Sequence, residues 1–111
     1  MTEEQFEHVI IGQMEACDVL LRSKGTEYAP DAMEYSQIDR LRHFKKAAVM
    51  MNVSTRAALM GMLSKHMVSI SDMCMYEKDY PIEKWDEKIT DCMNYLIILK
   101  AIVEEESNEK D

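Results

Sequence analysis

Apolar side chains recur every three or four positions along most of this chain, which is the spacing of one helix face. The pattern predicts four helices, over about residues 3–24, 37–51, 55–77 and 81–106, in a single all-α domain spanning residues 1–111. The residues expected to face the core are Phe6, Val9, Ile10, Met14, Cys17, Leu20 and Leu21 in the first helix, Ile38, Leu41, Phe44, Ala48 and Met51 in the second, Leu59, Leu63, Met67, Ile70 and Met73 in the third, and Trp85, Ile89, Cys92, Leu96, Leu99 and Val103 in the fourth.

Turn and capping residues indicate where these helices begin and end. Gly25 would end the first helix in a left-handed conformation, and residues 26–35, with a proline and two tyrosines, would form a loop. Ser36 opens a capping sequence for the second helix. Ser54, or the threonine after it, would cap the third. Residues 104–111 are expected to form an acidic, solvated end.

The composition supports a helical bundle, and the chain has more apolar residues than the inward faces of four helices need. Only 3 Gly and 2 Pro stand against 11 Met, and helices tolerate few breakers. Four helices of these lengths indicate an up-and-down bundle. Several apolar residues lie outside the predicted stripes, and a homo-oligomer is the simplest way to bury them. Examples are Ile11, Met50, Met60, Met75 and Ile97.

The net charge of −8 restricts the classes of partner. A phosphate backbone attracts a basic face, and no basic run here is longer than Lys45 and Lys46, so binding to a nucleic acid polymer is not expected. A free nucleotide needs only a local cluster of cations. Neither a signal peptide nor a membrane-spanning apolar run is evident, so we expect a cytoplasmic protein with no membrane partner.

The three cysteines are expected to be structural. Cys17, Cys74 and Cys92 are odd in number, lack metal-type spacing and fall in stretches with helical apolar periodicity. We therefore predict that all three are buried small apolar residues in a reducing compartment. No metal or other cofactor is expected.

Polar residues interrupt the third and fourth predicted helices. A carboxylate and an amide, at Asp91 and Asn94, fall inside an otherwise apolar stripe, where they reduce stability unless each has a partner. In the third helix, positions spaced i, i+4 and i+7 place several polar groups on one face. The two faces could meet around a pocket. The polar residues expected to line it are Lys65, His66, Ser69, Lys88, Asp91, Asn94 and Tyr95.

The same residues also fit a structural role. Asp91 could form an ion pair with Lys65 or Lys88, and a single helical histidine such as His66 is more often packed or solvated than a ligand. No two histidines have metal-ligand spacing. The structural and the ligand-binding interpretations both stay open at this point.

A second group of candidates lies in the second predicted helix and in the segment that leads to it. Arg40 matches a phosphate with two parallel hydrogen bonds, and Phe44 or Tyr28 could stack on a base. Lys24 completes the ligand-binding residues predicted for this part of the chain. Taken one at a time, each is more often a core aromatic or a solvated cation.

Together these segments resemble a known family. "SKGTEYAPDAMEYSQIDRLRHFKKAA", "AALMGMLSKHMVSISDM" and "WDEKITDCMNYLIILKAIVEE" are similar to small phage and prophage proteins related to the MazG-like, all-α nucleoside triphosphate pyrophosphohydrolases. The likeness covers residues 23–106 and rests on order and spacing. It implies a MazG-like helical bundle in which carboxylates from EExxE and ExxD motifs hold magnesium ions that grip a triphosphate.

The chain departs from that family pattern at the metal ligands. Where the resemblance would place EExxE, the sequence runs from Lys65 to Ser69 without a glutamate, and Lys88 stands where the ExxD glutamate belongs. Asp91 matches the family aspartate. The change from acidic to basic groups would repel magnesium, while lysine ammonium groups could bind a phosphate directly.

The resemblance and its departures predict non-hydrolytic binding of a nucleotide or a nucleotide-derived signal. A phage protein that sequesters a defence signal in the cytoplasm of a bacterial host is one such role. The first alternative is a metal-dependent pyrophosphohydrolase that uses Asp72, Glu87 and Asp91. The second is a protein-interaction module whose methionine-rich surface grips another protein.

Overall fold

The computed structural model describes residues 1–27, 38–76 and 78–110. It contains four α-helices: α1 (Glu3–Glu27), α2 (Arg42–Met51), α3 (Thr55–Met75) and α4 (Ile82–Lys110). No strand occurs in these ranges, so the prediction of an all-α fold with four helices is confirmed. Within the same ranges, no helix has both the length and the apolar character needed to cross a bilayer.

Helix α4 organises the fold because it packs against both α3 and α1, while α2 packs on α3. In the part of the chain that the structure describes, the backbone of α1 does not pack closely on α2 or α3. The arrangement is therefore more open than a closed up-and-down bundle. The core forms where the start of α2 meets α3 and α4, and its buried residues are Leu41, Phe44, Leu59 and Ile102, with Met62, Tyr95, Ile98 and Leu99 packed against them.

The first helix does not end at Gly25, as its sequence predicts. Helix α1 continues to Glu27, and Gly25 does not have a positive φ. A glycine inside a helix costs only about 0.5–1 kcal/mol relative to alanine, so the helix can tolerate it where space is needed. The loop predicted over residues 26–35 is contradicted at residues 26 and 27, and the rest lies outside the described residues.

The second helix begins at Arg42, five residues later than predicted. Asp39 Oδ1 accepts a hydrogen bond from the Leu41 backbone N–H at 3.0 Å, so the aspartate side chain competes with a helical backbone here. The proposed cap at Ser36 lies outside the described residues. Asn52 ends α2 in the left-handed region, as expected from its position.

An ion-pair network fixes the start of α2. Lys45 Nζ lies 2.7 Å from Asp39 Oδ2 and also contacts Glu105 on α4. Burial alone would raise the pKa of Asp39, but the hydrogen bonds from Lys45 and the Leu41 backbone lower it below its usual value. Hydrogen bonds to Asp39 and Glu105 raise the pKa of Lys45. These charged side chains are partly exposed, so the ion pairs orient the start of α2 but contribute little to the free energy of unfolding.

The third helix begins as predicted, since Ser54 is its N-cap and its side chain accepts a hydrogen bond from the Ala57 N–H at 3.1 Å. The expected stripe is confirmed at Leu59, Leu63 and Met73, which are buried. Met67 is the exception, because its side chain is half exposed.

The predicted inward stripes of α1 and α4 are largely wrong. In α1 the stripe is buried only at Cys17, whereas Phe6 is 51% exposed and the other residues of its first half are similarly open. In α4, Leu96 is also 51% exposed. Helix α4 is apolar on more than one side, so periodicity alone did not reveal which side α3 would cover. The residues of α4 that are buried are Thr90, Cys92, Asn94 and Ile102.

The prediction that all three cysteines are buried holds for Cys17 and Cys92 and is wrong for Cys74. Cys74 lies in the last turn of α3 and is exposed. Burial raises the pKa of the Cys92 thiol, and the neighbouring carboxylate of Asp91 raises it further. A thiol with a raised pKa holds less of the reactive thiolate at neutral pH.

We expect a thiol reagent to modify Cys74 rapidly in the folded protein, while Cys17 and Cys92 react only after denaturation. Burial shields the latter two from the reagent. Brief alkylation with and without denaturant, followed by peptide mass spectrometry, measures all three sites in one sample. Equal labelling of Cys92 and Cys74 in the native chain would contradict the packing of α4.

Candidate functional site

A cavity of about 310 Å³ opens where the last turns of α1 face the start of α2 and the middle of α3 and α4. Each helix contributes side chains because α4 lies between α1 and α3, and the segment before α2 reaches across to α1. The residues that line it are Leu20, Leu21, Lys24, Arg40, His43, Phe44, Met62, His66, Asp91, Asn94, Tyr95 and Ile98.

The charged groups of the cavity are mostly basic. Lys24 and Arg40 are cationic at neutral pH, His43 and His66 add two imidazoles, and Asp91 is the one carboxylate among the described lining residues. The chain as a whole has a formal net charge of −8. A positive cavity in an acidic protein is suited to an anion, because the field inside a cleft depends on its own lining.

Arg40 is positioned by a close approach to α1. Its Nη2 donates to the Leu21 carbonyl oxygen at 2.7 Å. A Cβ on Gly25 would lie only 2.8 Å from Arg40 Nε, so the glycine provides the space in which the guanidinium lies. Arginine carries five N–H donors in a planar fork. The bond to Leu21 orients this fork and leaves donors for an anion.

Aromatic rings form a second wall. The rings of His66 and Tyr95 lie 5.1 Å apart at 36°, and Phe44 meets Tyr95 edge-on at 6.2 Å. Core packing of Phe44 against Leu41 and Ile102 holds these rings in place. The arrangement offers apolar faces beside the cationic groups, which suits a ligand that has both a ring and a negative charge.

His66 and Asp91 form a loose polar pair. Nδ1 of His66 lies 3.7 Å from Asp91 Oδ2, which is too long for a hydrogen bond. Both side chains are about one quarter exposed. Each can therefore interact with a bound molecule as well as with the other.

Asn94 is buried without a hydrogen bond to its oxygen. Its residue exposure is 6%, and Oδ1 has no partner among the described residues. Leaving a buried acceptor unpaired costs about 1–3 kcal/mol. Asparagine at this position therefore makes the fold less stable than leucine would.

The structure brings together most of the predicted site residues and leaves some outside. Lys65 is exposed, and neither Ser69 nor Lys88 lines the cavity. Tyr28 lies outside the described residues. Seven predicted residues do line it: Lys24, Arg40, Phe44, His66, Asp91, Asn94 and Tyr95.

The structural alternative, an ion pair of Asp91 with Lys65 or Lys88, is not formed among the described side chains. Asp91 faces His66 instead. The lysine and arginine that line the cavity with Asp91 come from α1 and from the segment before α2.

Several lining residues had no ligand-binding signal in the sequence. Leu20 and Leu21 appear as part of an apolar stripe, and Met62 and Ile98 lie beside such stripes. His43 falls next to Phe44 but off the inward face of α2. Only the approach of α1 to the start of α2 brings this histidine to the cavity.

The carboxylates of the hydrolase alternative are not gathered into a cluster. Asp72 and Glu87 are exposed, while Asp91 lies in the cavity wall. Across the described ranges, no group of three or more His, Cys, Asp or Glu side chains is arranged to hold a metal ion.

Comparisons of the chain with protein-family models, with curated proteins and with solved structures find no match. The relation to MazG-like proteins therefore stays a hypothesis from the sequence. The cavity, with its cationic groups and aromatic rings, is the structural feature from which a function can be inferred.

The role of Gly25 in making room for Arg40 can be tested by comparing it with Gly61, a second helical glycine. Replacing either by alanine should by itself add about 0.5–1 kcal/mol of stability. At Gly61 the new methyl meets only Met51 Cε at 3.9 Å, an ordinary contact. At Gly25 it displaces Arg40 from its bond to Leu21. We expect Gly61→Ala to raise the Tm, and Gly25→Ala to raise it less or lower it, in thermal unfolding followed by circular dichroism. Equal gains would contradict the packing described.

Proposed function

We propose that the protein binds a nucleotide-type small molecule without hydrolysing it. The observation that carries the proposal is the composition of the cavity, whose described lining residues include Lys24, Arg40, two imidazoles and one carboxylate beside aromatic rings. Free nucleotides combine an anionic phosphate with a flat, apolar ring. The cavity offers cationic side chains for the phosphate and aromatic faces for the ring.

The phosphate would bind at the end of the cavity nearest α1. Arg40 is held there by Leu21 and Gly25, so its fork is already oriented, and a preorganised arginine can form two parallel hydrogen bonds with a phosphate. Lys24 adds a compact charge from the last turns of α1. Side chains supply these contacts because the chain offers no glycine-rich phosphate loop.

The ring would bind against the wall that His66, Tyr95 and Phe44 form together. A base stacked on an aromatic side chain contributes about 1–3 kcal/mol, and these rings are fixed by the core. Ligand pockets typically measure about 300–1,000 Å³. The cavity is at the lower end of that range, so a mononucleotide or a compact nucleotide derivative fits better than a larger dinucleotide.

The wider role is a proposal from context. Among the described residues, no cluster of carboxylates could hold a metal ion for hydrolysis. A chain that binds a nucleotide without hydrolysing it would withdraw that nucleotide from other receptors. The resemblance to phage and prophage relatives of the MazG-like hydrolases then favours sequestration of a host defence signal. Support for the MazG-like relation comes from the all-helical fold and from Asp91 in the cavity wall.

Calorimetry with AMP and GMP in the absence of divalent metal tests the binding proposal. We expect Arg40→Gln and Lys24→Gln each to weaken binding roughly 10- to 100-fold, because each removes a hydrogen bond to a charged group. Lys65→Gln and Lys88→Gln are the matched controls, since these lysines lie outside the cavity.

Two outcomes would contradict this proposal. The first is absence of binding by every nucleotide tested. The second is weaker binding in Lys65→Gln and Lys88→Gln alone, which would place the site at the residues inferred from the family pattern. Release of pyrophosphate or phosphate only when magnesium is added would favour the hydrolase alternative.

We also propose that the chain forms a homo-oligomer, with a second copy covering the first half of α1. The chain exposes 8535 Å², whereas a folded monomer of 12.9 kDa is expected to expose about 6,300 Å². Its radius of gyration is 16.5 Å against about 13 Å for a compact chain of this size. A standard interface buries about 800 Å² per partner, so the surplus is large enough for a stable dimer.

The bare apolar face of α1 is where we place the contact. Phe6, Val9 and Ile10 belong to the same stripe as Cys17, which α4 covers, yet all three are about half exposed. A stripe that is buried at one end and open at the other needs a second helix to cover its open end. An identical chain supplies one at the same concentration.

We expect a mass of at least two chains in sedimentation or light-scattering measurements, and a shift towards one chain in Ile10→Asp. His8→Asp is the control, because His8 is also exposed but lies about 200° around the helix from Ile10. A wild-type chain that stays monomeric at all concentrations, or equal loss of mass in both variants, would contradict the proposed contact.

A further inference from the structure

The unpaired oxygen of Asn94 stands out within its own helix. Two polar residues on α4 are buried, Thr90 and Asn94, each with 6% of its surface exposed. Thr90 Oγ1 accepts a hydrogen bond from Gln13 Nε2 at 2.8 Å, so α1 supplies its partner. One turn later, Asn94 Oδ1 receives no bond from the described residues. The fold thus satisfies one of these two positions and leaves the other unsatisfied.

The side chains one turn away from Asn94 on α4 supply no donor to its Oδ1. Asp91 lies one turn before it and, when ionised, only accepts hydrogen bonds. Ile98 lies one turn after it and is apolar. Across the cavity, His66 faces Asp91. A donor on a bound molecule could therefore satisfy the unpaired oxygen of Asn94.

The oxygen is shielded in its present orientation, but the amide can turn. The terminal torsion of asparagine is broad and soft, and no hydrogen bond from the described residues holds Oδ1 in place. Because Asn94 lines the cavity, a modest rotation presents its oxygen to a bound molecule. Among the described residues, the rotation breaks no existing bond to that oxygen.

We propose that Asn94 reads the ring of the ligand, with Oδ1 accepting a hydrogen bond from a ring N–H or amino group. This inference rests on the proposed function and deepens it. The ligand is a phosphorylated heteroaromatic compound whose ring carries an N–H donor, with its phosphate at Arg40 and Lys24. Amino- and imide-bearing bases belong to this class. A ring without a donor would leave Oδ1 of Asn94 unpaired.

Selectivity between ligands depends on which hydrogen-bonding groups of the site each ligand leaves unpaired. A site built to hydrogen-bond a ligand N–H rejects the analogue that lacks it, because the buried acceptor then stays unsatisfied. Asn94 is thus a specificity-determining residue, while the phosphate contacts are common to all members of the class. Loss of the donor should weaken binding without abolishing it.

The test compares three probes by calorimetry: AMP, GMP and purine riboside 5′-monophosphate, whose ring has no N–H donor. We expect the wild-type chain to bind AMP or GMP at least about tenfold more tightly than the donor-free nucleotide. In Asn94→Leu, which keeps a similar volume and removes the amide, this difference should disappear. Thermal unfolding of Asn94→Leu checks that the variant is folded.

The outcomes separate the two proposals. Equal wild-type affinity for all three probes overturns the role of Asn94 and leaves the nucleotide site standing, and this comparison needs no variant. Retention of the preference in a folded Asn94→Leu also overturns it. If none of the three probes binds, the proposed function fails and the inference about Asn94 fails with it.

Discussion

The cavity depends on the contact between Arg40 and the end of α1. Among the helices, α1 packs only on α4 in the described part of the chain. The bond from Arg40 to the Leu21 carbonyl, in the space left by Gly25, ties the segment before α2 to α1. This tie closes one side of the cavity and fixes a guanidinium in its wall. The interaction that completes the fold here also prepares the anion site.

A second network keeps the entry to α2 in register with that contact. Asp39 and Lys45 pair with each other, and Lys45 reaches Glu105 on α4. Arg40 comes directly after Asp39, so the turn that Asp39 stabilises also sets the direction of the arginine side chain. Glu105 of α4 therefore contacts the lysine that pairs with Asp39, the residue before Arg40.

Local patterns predicted the helices and part of the site, because they depend on residues close in sequence. The number of helices, the Ser54 cap and the buried Leu59 and Leu63 follow from propensity and periodicity. Asp91 and Asn94 were recognisable because polar groups interrupt an apolar stripe. The role of Gly25 was not, since a helix-ending glycine and a helical glycine that makes room for Arg40 look the same in sequence. The position of Lys65 depended on how α3 is rotated, which periodicity did not fix.

The two proposed interactions use different halves of α1. Near its middle, Gln13 bonds to Thr90 of α4, and one turn later Cys17 of the apolar stripe is buried. The last turns supply Leu21 and Lys24 to the cavity. Before Gln13 the same stripe is open and available to a second copy. A helix is stiff over this length, so a partner that holds the first half also restricts the direction of the second. Association would therefore steady the wall that carries Lys24, without adding any group to the ligand site.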